Sequence, residues 1–411
     1  MSVKKNSYKK DIIKQLYFAH TLSCAEISEK TDKSLPLTTK IVNELIGEEY
    51  ITENGYAPSS GGRRPQTYSL KPDVLYTVSV AMDQFVTRIV IMDMQNRYVT
   101  TLEKFELTLA KNPAALLTLA EKIANHITSS GLPKAKIAGV GIGMPGFIDP
   151  GKGLNYTFLE PPYGNIPAFI ADKTGLDVFI DNDSSLIALA ELRFGAAKHK
   201  ANGMVVNLGW GVGLGLVLEG KLFRGSNGFA GEFSHIPVFN NNKLCGCGKK
   251  GCLETETSLS VIIDKAKTGL AEGQITILQG QLNSSNAERA IEEIIKAAHQ
   301  GDQFAVELFS EAGYNIGRGV AILVHILNPE TIVLSGRGSL AGKIWKAPIQ
   351  QAINEHCIPR LAANTEIEVS ALGYEAELIG SAALVMENYE SKVAIGVVPV
   401  TVPTDFYAKN N

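Results

Sequence analysis

Tryptophan, cysteine and any excess of one charge are all scarce in this sequence: two Trp and five Cys in 411 residues, with 39 Lys and Arg against 42 Asp and Glu. No apolar run, Val320–Leu327 being among the longest, approaches the roughly 18 to 20 residues that a bilayer span requires. The lysine-rich start Met1–Lys10 leads into no hydrophobic signal core, so a soluble, cytoplasmic protein is expected. So few cysteines in so long a chain exclude a small disulfide scaffold. With 45% apolar and 20% charged residues a disordered chain is excluded too. At roughly 100 to 200 residues per domain, about two to four folded domains are expected.

The whole-chain charge of −3 hides an asymmetry. Residues 1–70 carry 10 Lys and Arg against 8 Asp and Glu, a charge of +2 that leaves −5 for the remainder. Ile12, Ile13, Leu16 and Tyr17 recur at helical spacing, and Ser23-Cys-Ala-Glu26 is a capping box that starts a second helix. After a break at Thr31-Asp-Lys33, Ser34 can cap a third helix with Pro36 in its first turn and Ile41, Val42, Leu45 and Ile46 on its buried face. The spacing resembles a helix-turn-helix. Tyr50–Glu53, a turn at Asn54-Gly55, then Gly61-Gly-Arg-Arg-Pro65 and the strand-like Thr67–Leu70 predict a two-stranded wing with an arginine-bearing tip. Thr38, Thr39, Lys40 and Asn43 lie among the polar positions of the third helix, and Arg63 and Arg64 on the wing. As a bare charge pattern this is a solvated surface; following a capping, turn and wing sequence it suits major-groove edges and phosphates.

From about residue 72 strand-like runs (Tyr76–Ala81, Arg88–Met92) alternate with helical ones (Ala114–Thr128), predicting α/β architecture. Glycine-rich strand ends at Val140–Gly146, Val205–Gly215 and Ile332–Gly338 suggest a duplicated fold with a ligand cleft between its halves. Residues 392–411 read as a final strand and a frayed tail.

His235, Cys245, Cys247 and Cys252 follow the spacing His-x9-Cys-x-Cys-x4-Cys, with glycines at 246, 248 and 251. Four soft or borderline donors on a backbone free to wrap a sphere predict a structural Zn2+ site, and full protein ligation leaves no open position for metal catalysis. The alternative is a set of buried reduced cysteines beside an unrelated histidine. Cys24 and Cys357 have no ligand-like neighbours and read as core.

Around that cluster stand Glu232, Glu254 and the pair Asn182-Asp183, which by itself favours a turn or helix cap before Leu186–Leu192. The run Val205–Gly215, then Gly225, Gly228, Gly231-Glu-Phe-Ser-His235 and Cys245–Glu254, resembles the signature of the ROK family (repressors, open reading frames and sugar kinases). The N-terminal module is similar to that of the family's repressor branch, so the resemblance covers nearly the whole chain.

The resemblance implies a winged helix-turn-helix over residues 1–71 and a two-lobed actin/hexokinase-like (ribonuclease H-like) core. Its first lobe would span 72–183, completed by 384–411, and its second 184–383, with the zinc loop. It further implies that Asn182, Asp183, Glu232, His235 and Glu254 bind a sugar, His235 doubling as zinc ligand. Asp183 would be the general base if phosphoryl transfer occurs. Two departures weigh against transfer: the turn Ser79–Val86 contains no glycine where related kinases have an Asp-x-Gly-rich hairpin, and Trp210 stands where they have a threonine. Ser185 and Ser234 are smaller departures. The expectation is a non-catalytic, sugar-responsive transcriptional regulator, a repressor of carbohydrate metabolism genes. It would bind an inverted-repeat DNA operator as a homodimer or dimer of dimers, with a monosaccharide or sugar phosphate as effector. The alternatives are an ATP-dependent sugar kinase with an extra N-terminal module, and a sensor that docks a protein partner.

Overall fold

The computed structural model describes residues 2–57, 64–159, 165–282 and 286–389. Three helices, α1 (Ser2–Ala19), α2 (Cys24–Thr31) and α3 (Leu35–Gly47), close around Ile12, Leu16, Ile27, Ile41 and Leu45. The Ser23–Glu26 capping box forms: the Ser23 hydroxyl accepts from the Glu26 N–H and the Glu26 carboxylate from the Ser23 N–H. Asp32, in the left-handed region, ends α2. Ser34 stands at the N-cap of α3, with Pro36 in the first turn, but its hydroxyl makes no capping bond.

The strands β1 (Leu22–Ser23), β2 (Ile51–Tyr56) and β3 (Gln66–Leu70) form an antiparallel sheet in the order β1-β3-β2. The turn expected at Asn54-Gly55 is instead a bulge. Between the pairs Glu53–Tyr68 and Tyr56–Gln66, β2 holds two residues where β3 holds one, and Gly55 takes a φ of 78° to absorb the extra residue. The hairpin loop therefore lies beyond Tyr56. Gly61, Gly62 and Arg63 fall outside the described residues, while Arg64 is exposed.

The first lobe contains β4 (Tyr76–Met82), β5 (Val86–Asp93), β6 (Glu103–Glu106), α4 (Ala115–Ser129), β7 (Ile137–Met144), the small hairpin β8 (Ile148–Asp149) and β9 (Leu154–Asn155), α5 (Ile166–Thr174) and β10 (Val178–Asn182). Its sheet runs β10-β7-β4-β5-β6, with β4, β5 and β6 successively antiparallel and β7 and β10 parallel to β4. Leucines and isoleucines of α4 and α5 cover one face.

The second lobe contains α6 (Asp183–Phe194), β11 (Gly203–Leu208), β12 (Val212–Leu218), β13 (Lys221–Phe223), α7 (Glu254–Thr257), α8 (Leu259–Ala271), α9 (Ala287–His299), α10 (Gln303–Leu327), β14 (Thr331–Ser335), α11 (Lys346–His356), α12 (Pro359–Ala362) and β15 (Glu366–Val369). Its sheet, β13-β12-β11-β14-β15, repeats the first in order and strand direction, so the core is a duplicated unit. A last helix, α13 (Ala376–Glu387), returns to the first sheet. The strand expected within 392–411 lies outside the described residues. None of the described helices is long and apolar enough to cross a membrane.

Between the sheets, α6 packs on β11 and β12, α13 on β4 and β7, and the two helices pack on each other. Glycine makes this approach possible. A Cβ on Gly215 would stand 2.1 Å from that of Ala188 on α6, and one on Gly380 of α13 only 2.0 Å from the Leu186 carbonyl oxygen. Part of the glycine-rich texture thus serves close packing of helices and sheets.

Candidate ligand cleft and metal centre

The lobes enclose a cleft of about 460 Å³ lined by all of Asn182, Asp183, Glu232, His235 and Glu254. Asn182 and Asp183 are where β10 gives way to α6. Asn182 is the N-cap: its Oδ1 accepts from the N–H groups of Ser184 (2.9 Å) and Ser185 (3.2 Å), while its Nδ2 donates to the Gly146 carbonyl (3.1 Å). The helix-cap and cleft-lining readings of this residue therefore describe one geometry. The Asp183 carboxylate accepts from the Ser184 N–H (2.7 Å) and lies 3.4 Å from Asn207 Nδ2. Burial pushes its carboxyl up to about 6, the hydrogen bonds from Ser184 opposing the shift.

Glu232 precedes a single helical turn, Phe233–His235, and Glu254 opens α7. Burial first, then the negative charges of Asp183 and Glu254, raises Glu232 to about 7. Three carboxyl groups held close together in a partly dry cleft, with an amide and an imidazole, form an acceptor-rich surface suited to the hydroxyls of a polyol.

His235 faces two ways. Its Nδ1 lies 3.5 Å from Cys245 Sγ and its Nε2 3.6 Å from the Glu232 carboxylate. Cys247 Sγ and Cys252 Sγ are 3.7 Å apart, and the four potential ligand atoms all lie within 4.8 Å of one another. Metal–sulfur bonds of about 2.3 Å in a tetrahedron would separate neighbouring sulfurs by about 3.8 Å, so the donors are spaced to hold a metal ion.

At the other end of the cleft the sequence marks the Ser79–Val86 turn and Trp210 only as departures from the kinase pattern, and gives Arg88, Lys104, Glu288, Arg337, Tyr374 and Glu377 no role. Asp83, in the glycine-free turn after β4, accepts from the N–H groups of Phe85 and Val86 through Oδ1. Its Oδ2 receives the indole N–H of Trp210 (3.0 Å) and a guanidinium N–H of Arg337 (3.3 Å). Arg337 also meets Glu288, stacks on Trp210 and Tyr374 (4.8 and 4.2 Å to the ring centroids), and Glu288 in turn meets Lys104. Arg88 lies 3.5 Å from the Tyr374 ring centroid and 3.2 Å from Glu377, whose carboxyl burial lifts to about 8 although Arg88 opposes the shift. Asp83, Arg88 and Lys104 belong to the first lobe and Trp210, Glu288, Arg337 and Tyr374 to the second, so this network clasps one lobe to the other. Arg337 follows a recognisable strand-end glycine, Gly336; the Arg88–Glu377 pair, 289 residues apart, has no local signal.

On the helix-turn-helix, Thr39, Lys40 and Asn43 share an exposed face, but Thr38 does not. Thr38 is fully buried, its hydroxyl 2.6 Å from that of Tyr8 and 3.1 Å from the Ser34 carbonyl, so it braces α3 against α1 and is corrected from groove contact to internal packing.

The two buried helices join these regions. α6 begins at Asp183 in the cleft and ends at Phe194, whose ring meets Tyr17, Phe18 and His20 of the N-terminal module. α13 begins beside Glu377 in the cleft and ends at Glu387, whose carbonyl accepts from Lys14 of α1 (2.9 Å). Each spans 12 residues, about 18 Å of rigid rise.

A winged helix fused to a duplicated, two-lobed α/β core of the actin/hexokinase type is the class that these features define. The chain belongs to the ROK family, whose model matches residues 87–388. It is 29% identical over 384 residues to a xylose repressor of Caldicellulosiruptor bescii, covering 92% of this chain and 94% of that one. It is 33% identical to a glucokinase of Halalkalibacterium halodurans, covering 70% of this chain and 89% of the kinase. The crystal structure of a ROK family transcriptional regulator, a homologue of the E. coli MLC protein, superposes with a TM-score of 0.74 at 24% identity, covering 94% of this chain and 97% of that one.

Proposed function

We propose that this protein is a sugar-responsive, DNA-binding repressor of carbohydrate metabolism genes, acting in the cytoplasm as a homodimer on an inverted-repeat operator. The observation that carries the reading is the pair of helices, α6 and α13, that start among the cleft carboxylates and end against α1. A sugar gripped by Asn182, Asp183, Glu232, His235 and Glu254 draws the lobes together, and any rotation of α6 and α13 moves the module docked on their far ends. In a two-fold dimer that rotation changes the spacing of two recognition helices, which must match half-sites about 34 Å apart or a multiple of it. Sugar weakens DNA binding in this account. Alignment of a xylose repressor over nearly the full length, against a glucokinase over 70%, supports a regulator.

A zinc ion held by His235, Cys245, Cys247 and Cys252 supplies structure only: four protein donors complete its coordination. With Nδ1 of His235 committed to the metal, Nε2 is oriented toward Glu232 and the sugar. The chain does not act as a kinase. A triphosphate needs open backbone donors at the β4–β5 turn and after β11, yet Trp210 and Asp83 are hydrogen-bonded across that gap, with Arg337 over the indole ring.

The test is a thermal-shift screen of monosaccharides and their phosphates, followed by operator binding and ATP-dependent phosphorylation assays with any sugar that stabilises the fold. Sugar binding that alters DNA affinity without turnover is the expected result. Phosphoryl transfer without DNA binding would establish the kinase alternative, and sugar binding with neither would leave the docked-partner sensor.

A further inference from the structure

The first turn of α3 exposes what soluble domains usually cover. Leu35 and Leu37 are 47% and 41% exposed, with Pro36 exposed between them. Three consecutive exposed apolar residues are a fault in a surface unless they serve a contact. They are not misplaced core, because Ile41, Val42, Leu45 and the buried Thr38 already fill the inner face of this helix. The outer surface continues from the apolar tip into Thr39, Lys40 and Asn43, and no acidic residue stands in the first turn. An apolar tip backed by a cation and small polar groups matches a partner that combines negative charge with discrete apolar groups. The DNA major groove offers both: phosphates along its walls and, on its base edges, the C5-methyl of thymine.

Recognition helices present their N-terminal residues to those edges. We propose that Leu35 and Leu37 read thymine methyl groups, with Pro36 fixing the tip between them, so that this protein selects half-sites with thymines where the start of α3 meets the groove. The proposal rests on the DNA-binding reading above and adds what that reading leaves open, the source of its sequence preference. Burying one methyl-sized group corresponds to about a fourfold gain in affinity.

The experiment is in vitro selection of random duplexes with the full chain, followed by replacement of each thymine in the enriched half-site by deoxyuridine, which removes the methyl alone. Wild type should enrich thymine-containing half-sites and lose about fourfold in affinity at each contacted position. Leu35→Ala/Leu37→Ala, at exposed positions where alanine favours helix, should bind more weakly and no longer distinguish thymine from uracil. Equal binding of thymine and uracil duplexes by wild type overturns the proposal, as does a variant that keeps the full discrimination. Failure to bind duplex DNA of any sequence overturns the DNA-binding reading as well, and leaves the apolar tip to a protein partner.

Discussion

Replacing Phe194 by alanine should separate the two ends of this protein without disabling either. Its ring lies at the end of α6, 5.5 Å from Tyr17 in an edge-on contact, 6.1 Å from Phe18 in a stacked one and 5.6 Å from His20. Removing a fully buried phenylalanine costs about 3 to 5 kcal/mol. Phe194 is half-buried, so roughly 2 kcal/mol of docking energy is at stake. Coupling between an effector site and a second ligand is typically about 1 to 3 kcal/mol, so a loss of that size in the joint is large enough to abolish it. Phe194 lines neither the cleft nor α3. Fluorescence anisotropy with a labelled operator at fixed salt, with and without the cognate sugar, reads the effect. The variant should bind sugar and DNA separately much as wild type does, while the ratio of operator affinities with and without sugar collapses toward one. A folded variant that keeps the wild-type ratio would refute transmission through this contact.

Elemental analysis of the purified protein should find about one zinc per chain. Cys247→Ser should lose metal, stability and sugar affinity together, and a metal-free protein that remains folded and sugar-competent would contradict the assignment. Turnover on common hexoses should stay well below an ordinary enzymatic rate of roughly 1 per second; coupled ADP release at or above that rate would overturn the reading of the Trp210–Asp83 contact. Asp183 gives a pH signature. Its folded carboxyl titrates near 6 against an ordinary value of 3.8, so between those values the folded state holds a proton that the unfolded state has released, and stability falls as pH rises through the window. Above it the buried carboxylate costs roughly 3 kcal/mol. Asp183→Asn should therefore be more stable than wild type at pH 8 by an amount of that order, with the advantage shrinking toward pH 4. Denaturant melts giving the same difference at both pH values would dismiss the burial argument.

Local patterns carried what local physics decides. The Ser23–Glu26 capping box is a four-residue device and forms as read, and the metal cluster is confined to eighteen residues, so its spacing was visible. Asn54-Gly55 misled because the dipeptide suits both a hairpin turn and a bulge; the register of β3, set by burial of Tyr68 and Leu70, selects the bulge. Thr38 is polar without being exposed, because a hydroxyl can be buried once Tyr8 and the Ser34 carbonyl bond it. The clasp around Arg337 was illegible for another reason. Its members come from β5, β6, α9, α13 and the turns after β4, β11, β14 and β15, and only the tertiary fold makes them neighbours.

Sugar in the cleft and DNA on α3 should be thermodynamically linked. The most direct test of that linkage is the operator affinity of the intact protein at one salt concentration, measured without sugar and at saturating sugar, with occupancy verified independently by thermal shift. A change of roughly 5- to 150-fold is expected, with a matching change in sugar affinity when operator is bound. Identical operator affinities with sugar demonstrably bound would contradict it.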